Sequence, residues 1–148
     1  MLRPFAVIAA LTFGATILQP ISAIAMESSQ GELRVEKMAD GFDVPWAFTF
    51  LPDGAMLVTE RAGQLWYLKG DRRHQVKGVP DVAADGQGGL LDVVAARDFP
   101  QSRTVYLTFS RPQGRGAGTA VARGRLSSDA TRFEDIKVIF EATPGARG

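Results

Sequence analysis

The 148-residue chain has no cysteine and a single histidine, His74. Disulfides, thiolate metal sites and a cysteine nucleophile are therefore excluded, and a zinc site has too few ligands of the usual kinds. An excess of charge is also missing, because 17 Lys and Arg stand against 16 Asp and Glu. The basic residues are scattered, so no footprint for nucleic acid or for an anionic bilayer is visible, and charge names no partner. Beyond the N-terminus there is no hydrophobic run long enough to span a membrane, and no sustained helical period.

The N-terminus itself has the layout of a secretory signal over residues 1–25. Arg3 is its one charge, Phe5 to Leu18 is apolar or small, Pro20 breaks a helix, and Ala23-Ile24-Ala25 gives the small-x-small pattern of a cleavage site. Cleavage after Ala25 is the expectation, with a periplasmic or secreted product and no stable membrane insertion afterwards. An uncleaved tether is the competing reading, but a span needs about 20 apolar residues and this run is shorter.

Residues 26–31 read as a short polar linker, and 32–148 as one all-β region of short runs separated by Gly, Pro and Asp turns. The expected strands are Leu33 to Met38, Trp46 to Leu51, Ala55 to Glu60, Gln64 to Leu68 and a short outer strand from His74 to Val76. Pro52-Asp53-Gly54 is a turn with a mechanism, since proline presets φ and glycine accepts the left-handed position. The same order then recurs. Leu90 to Ala95 stands where Trp46 to Leu51 stood, Asp98-Phe99-Pro100 replaces the turn, and Thr104 to Ser110 replaces Ala55 to Glu60. Leu107-Thr108 echoes Val58-Thr59, Thr119 to Leu126 is a third strand, and Lys137 to Phe140 a fourth.

Four antiparallel strands repeated every 40 to 50 residues is the signature of propeller blades. The first strand of each unit is the most apolar, which suits a place packed between neighbouring blades, and the opening strand suits the last blade of the ring. A propeller needs roughly four to eight blades, so the two units predict a truncated N-terminal part. A compact β-sandwich is the alternative that the same turn spacing allows.

Few residues stand out chemically. In Gly86-Gln87-Gly88-Gly89, glycines flank one amide that both donates and accepts hydrogen bonds, and they let the backbone approach a ligand closely; an ordinary glycine-rich loop is the plainer reading. His74 lies among Arg72, Arg73, Gln75 and Lys77 and reads as a surface residue. Asp40, Asp43, Asp53, Asp81, Asp85 and Asp92 read as turn formers, without calcium-loop spacing. Glu60-Arg61 is read as an ion pair or a reach toward a pocket, Arg123 and Arg125 as a solvated face, and Trp46 and Trp66 as core.

Val44-Pro45-Trp46-Ala47-Phe48, Leu51-Pro52-Asp53-Gly54, Leu57-Val58-Thr59-Glu60-Arg61 and Gly63 resemble the first blade of the soluble aldose sugar dehydrogenases, the glucose/sorbosone dehydrogenase family. The likeness continues through Gly86-Gln87-Gly88-Gly89-Leu90-Leu91-Asp92-Val93, Asp98-Phe99, Val105-Tyr106-Leu107 and Gly118 to Leu126. The resemblance implies a six-bladed propeller holding pyrroloquinoline quinone (PQQ) and calcium on its axis, which oxidises aldose sugars at C1 to lactones and passes electrons to an external acceptor. It implies that Gln87 is the active-site glutamine, with Gln87 and Gly88 near the cofactor and no metal ligand in this stretch. The family's histidine general base has no counterpart here and is expected beyond Gly148, as are calcium and most quinone contacts; His74 does not match its context. A non-catalytic binding propeller and a propeller lactonase or lyase with an axial metal are the alternatives.

Overall fold

The computed structural model describes residues 24–29 and 31–143, so the secretory-signal reading falls almost wholly outside the described residues. They divide into two units, broken after Asp40. In the first, β1 (Ile24–Ser28) and β2 (Gly31–Val35) pair antiparallel with Ser28 opposite Gly31. Gly31 sits at φ 116°, an angle open to glycine, which is where the chain reverses. The polar stretch read as a linker thus carries a hairpin turn, and the opening strand ends at Val35 with β1 as its partner.

The second unit holds two four-stranded antiparallel sheets. The first runs β3 (Pro45–Phe50), β4 (Met56–Glu60), β5 (Gln64–Lys69), β6 (Arg72–Val76), and the second β7 (Leu90–Ala95), β8 (Thr104–Gln113), β9 (Gly116–Leu126), β10 (Phe133–Glu141). Each strand neighbours the next in sequence, as a repeated blade requires. Gly54 at φ 78° and Asp53, whose Oδ1 accepts the Ala55 N–H at 3.2 Å, close the turn between β3 and β4. At the matching place in the second sheet the chain forms a helical turn instead, α1 (Phe99–Ser102). Pro100 fits the start of a helix, buried Phe99 anchors it, and Arg103 at φ 52° ends it with its N–H on Phe99 O at 2.8 Å.

The two sheets share one core. Leu57, Leu65, Tyr67 and Val76 of the first meet Leu90, Val93, Leu107 and Phe109 of the second. On β9 the inward residues are small, Ala120, Ala122 and Gly124, and Phe133 lies against the last of them: a Cβ on Gly124 would stand 2.4 Å from its ring. Arg123 and Arg125 point out as expected, and Arg125 pairs with Glu134 at 2.8 Å and Asp135 at 3.1 Å.

Thr59 stitches the sheets together. Its buried hydroxyl accepts the Ala47 N–H at 3.1 Å within the first sheet and donates to Leu91 O of β7 at 2.6 Å. Thr59→Val keeps the shape and leaves both backbone groups short of a partner, so unfolding in urea is expected at a stability lower by about 1–3 kcal/mol.

Two tryptophans depart from the core expectation. Trp46 is 44% exposed, because its side of β3 has no sheet packed on it among the described residues. Trp66 is half-buried, with Arg73 over its ring at 4.6 Å and its Nε1 donating to Glu60 at 2.7 Å.

Between β9 and β10, Asp129 closes the turn. Its carboxylate accepts from the Ser127 hydroxyl, the Thr131 N–H and the Thr131 hydroxyl, which together pull its pKa from 3.8 to about 2. These bonds favour the charged form, so their contribution is complete above the ordinary carboxylate value and is lost as pH falls through about 2. An NMR titration of this carboxyl carbon is expected to show that low midpoint; a midpoint at 3.8 contradicts the arrangement.

Candidate functional site

The segment from β6 to β7 is irregular but tied down at each end. Lys77 N–H donates to Thr131 O at 2.9 Å and its carbonyl accepts the Phe133 N–H at 2.7 Å. Ala83 N–H then donates to Ser110 O at 2.8 Å, and Gly88 N–H closes a turn on Asp85 O at 2.7 Å. Gly86, first of the two central residues, takes φ 52°; Gln87, the second, sits at the exposed tip.

Gly88 and Gly89 are small because backbone crowds them. A Cβ on Gly88 would meet Ala83 O at 2.7 Å and Asp85 O at 3.0 Å; one on Gly89, at φ 145°, would meet Arg61 O at 2.0 Å. Arg61 is the clamp. Its carbonyl accepts the Leu90 N–H at 3.0 Å, and its guanidinium donates to Gly86 O. On the other side Ser110 N–H donates to Gly89 O at 2.8 Å. Gln87 is thus presented on a turn fixed from both sheets.

Glu60 and Arg61 therefore do not form the ion pair that the sequence suggested. Glu60 is buried and accepts the Asp43 N–H at 2.6 Å and the Trp66 indole N–H, while Arg61 crosses to the next sheet's loop. Sequence reasoning missed the roles of Arg61 and Ser110; the one hint was Arg61 at the end of the Leu-Val-Thr-Glu-Arg motif.

His74 lies on the outer strand as expected and is half-buried there. Its ring stacks on Tyr67 with centroids 5.1 Å apart and its Nε2 lies 3.1 Å from Ala130 O, so its outer-strand position is locked by packing. Asp53 takes a turn role and also binds Lys69 at 2.6 Å, which lowers its pKa. Asp92 Oδ1 accepts the Val93 N–H at 2.9 Å, and Asp81, Asp85 and Asp92 are all exposed. Among the described residues no three His, Cys, Asp or Glu gather in a way that could hold a metal.

The two sheets superimpose on parts of known sugar dehydrogenase propellers. A crystal structure of a glucose dehydrogenase matches with a TM-score of 0.71 and 48% identity, over 74% of this chain and 33% of that one. The PQQ-bound form of an aldose sugar dehydrogenase from Streptomyces coelicolor, at 22% identity, matches in fold with a TM-score of 0.64 over 74% of this chain and 34% of that one. The molecule is accordingly a partial β-propeller. The Glucose / Sorbosone dehydrogenase family matches residues 42–148, and the chain belongs to that family. The aldose sugar dehydrogenase YliI of Escherichia coli (strain K12) is 45% identical over 124 residues, which is 81% of this chain and 33% of that protein. The chain spans about a third of the length of the relatives it matches.

Proposed function

We propose that the chain is the first part of an exported quinoprotein that oxidises aldose sugars at C1 to lactones and passes the electrons to an external acceptor. Membership of a sugar dehydrogenase family and the likeness to an aldose sugar dehydrogenase support the activity. The PQQ-bound state of one structural neighbour supports the cofactor, and the signal-like N-terminus supports a periplasmic or secreted location.

The observation that carries the reading is Gln87 on its clamped turn. A neutral amide held at a fixed point donates to a carbonyl and accepts from a hydroxyl without changing charge, which suits orientation of a sugar or of a quinone oxygen. Gly88 brings its backbone close beside it. When bound, the quinone supplies the hydride acceptor. Calcium finds no clustered donors among the described residues, so its ligands are assigned to other blades. A general base is needed as well, and His74 is spoken for by Tyr67 and Ala130. The 148-residue chain alone is therefore expected to give no quinone-dependent dye reduction with any aldose.

A chimera tests the function directly. Residues 42–143 of this chain replace the matching third of the E. coli aldose sugar dehydrogenase, and dye-linked aldose oxidation is measured with PQQ and calcium added. Turnover is expected; a folded chimera without turnover contradicts the proposal.

A further inference from the structure

A groove of about 470 Å³ opens between the two sheets where the β3–β4 turn, the β5–β6 turn, α1 and the β9–β10 turn meet. The Gln87 turn precedes β7 and α1 follows it, so the groove lies at the far end of that strand, about 20 Å away. Its walls come from the turns that close both sheets, and the outward face of β3 takes no part in them. Leu51 and Phe99, each 5% exposed, form its apolar floor with Pro52 and Pro100 beside them.

The polar groups around this floor divide sharply. Every carboxylate already holds donors: Asp53 accepts from the Ala55 N–H and from Lys69, and Asp129 from the Ser127 and Thr131 hydroxyls and the Thr131 N–H. Free capacity is left on the donors. The Arg72 guanidinium and the Tyr67 hydroxyl have no hydrogen-bond partner among the described residues, and the Lys69 ammonium gives Asp53 only one of its three protons. Arg103 donates to Leu126 O and Ser127 O, so its charge too meets no carboxylate. Three cations and two carboxylates thus line the groove, an excess of one positive charge with the unused bonds all on the donor side.

We propose that this groove binds a small carboxylate with an apolar body of about one aromatic ring. Arg72, the Tyr67 hydroxyl and Lys69 take the carboxylate, and the body lies against Phe99 and the two prolines. The planar guanidinium fork matches a carboxylate in shape, one excess charge suits a monoanion better than a phosphate, and the volume falls in the range of small-molecule sites. The inference rests on this groove alone and is independent of the sugar-oxidising reading.

Calorimetric titration of the full chain with phenylacetate tests it, beside phenylacetamide, acetate and inorganic phosphate, with far-ultraviolet circular dichroism as the check on folding. Phenylacetate is expected to bind with a Kd of about 1 mM or below, and each of the other three about tenfold more weakly or worse. Arg72→Gln is expected to weaken phenylacetate about tenfold and Tyr67→Phe about threefold, whereas Arg123→Gln, which removes the same charge from the outward face of β9, leaves it unchanged. Phenylacetamide binding as tightly as phenylacetate, or equal losses for Arg72→Gln and Arg123→Gln, overturns the carboxylate assignment. Acetate or phosphate binding as tightly as phenylacetate overturns the apolar wall. No heat from phenylacetate, either with the full chain or with the E. coli chimera that carries every lining residue, overturns the site.

Discussion

Gly89→Ala is expected to destabilise the protein by about 3 kcal/mol or more and to dislodge the Gln87 turn with it. Two penalties combine at this position. The angle φ 145° belongs to a region that residues with a Cβ almost never occupy, and the added carbon would stand 2.0 Å from Arg61 O. That oxygen is backbone and cannot swing aside as a flexible side chain would. It also accepts the Leu90 N–H, the first bond of the strand that opens the second sheet. Relief of the clash therefore has to break this bond or shift the end of β4. Gly86→Ala is the matched control: φ 52° is merely left-handed and nothing lies within 4 Å, so a cost of about 1–2 kcal/mol is expected. Urea unfolding of the two variants separates the effects. Equal costs would show that the close approach of Gly89 to Arg61 is not a constraint.

The same geometry explains how much was readable from sequence. The strands were legible because alternation is local: Ala120, Ala122 and Gly124 turn inward and Arg123 and Arg125 outward, as their spacing implied. The extension of β8 to Gln113 and the start of β9 at Gly116 were not, since Pro112, Gly114 and Gly116 give a loop composition although Arg111, Pro112 and Gln113 pair in register with Gly118, Ala117 and Gly116. Likewise β10 starts at Phe133, ahead of Lys137, because Asp135 at φ 53° makes an irregularity that hides the period. Trp46 looked like core on hydrophobicity alone; burial also depends on whether a sheet lies against that face, which one strand's pattern does not encode.

The candidate site was legible only in part, and for a physical reason. Glycines around Gln87 marked a constrained turn, and the likeness to a family gave the glutamine a role. What holds the turn acts at a distance: Arg61 reaches Gly86 across 25 positions, and Thr59 reaches Leu91 across 32. Such contacts follow from how two sheets are stacked, and no local spacing announces them. The residues that position Gln87 are also those that join the sheets, so the stability of the pair and the placement of the amide rise and fall together.

Gln87 is exposed at the tip of its turn and its side chain supports nothing in the fold, so its removal isolates function from stability. Gln87→Ala in the chimera with the E. coli enzyme removes one fixed hydrogen-bonding amide. Loss of a donor that acts on the reacting groups costs on the order of a hundredfold or more in turnover. The decisive measurement is kcat/KM for dye-linked aldose oxidation by the chimera with and without this substitution, at matched unfolding midpoints. A drop of about a hundredfold is predicted; unchanged kcat/KM in a folded, active chimera would contradict the assignment of this loop to the sugar-oxidising site.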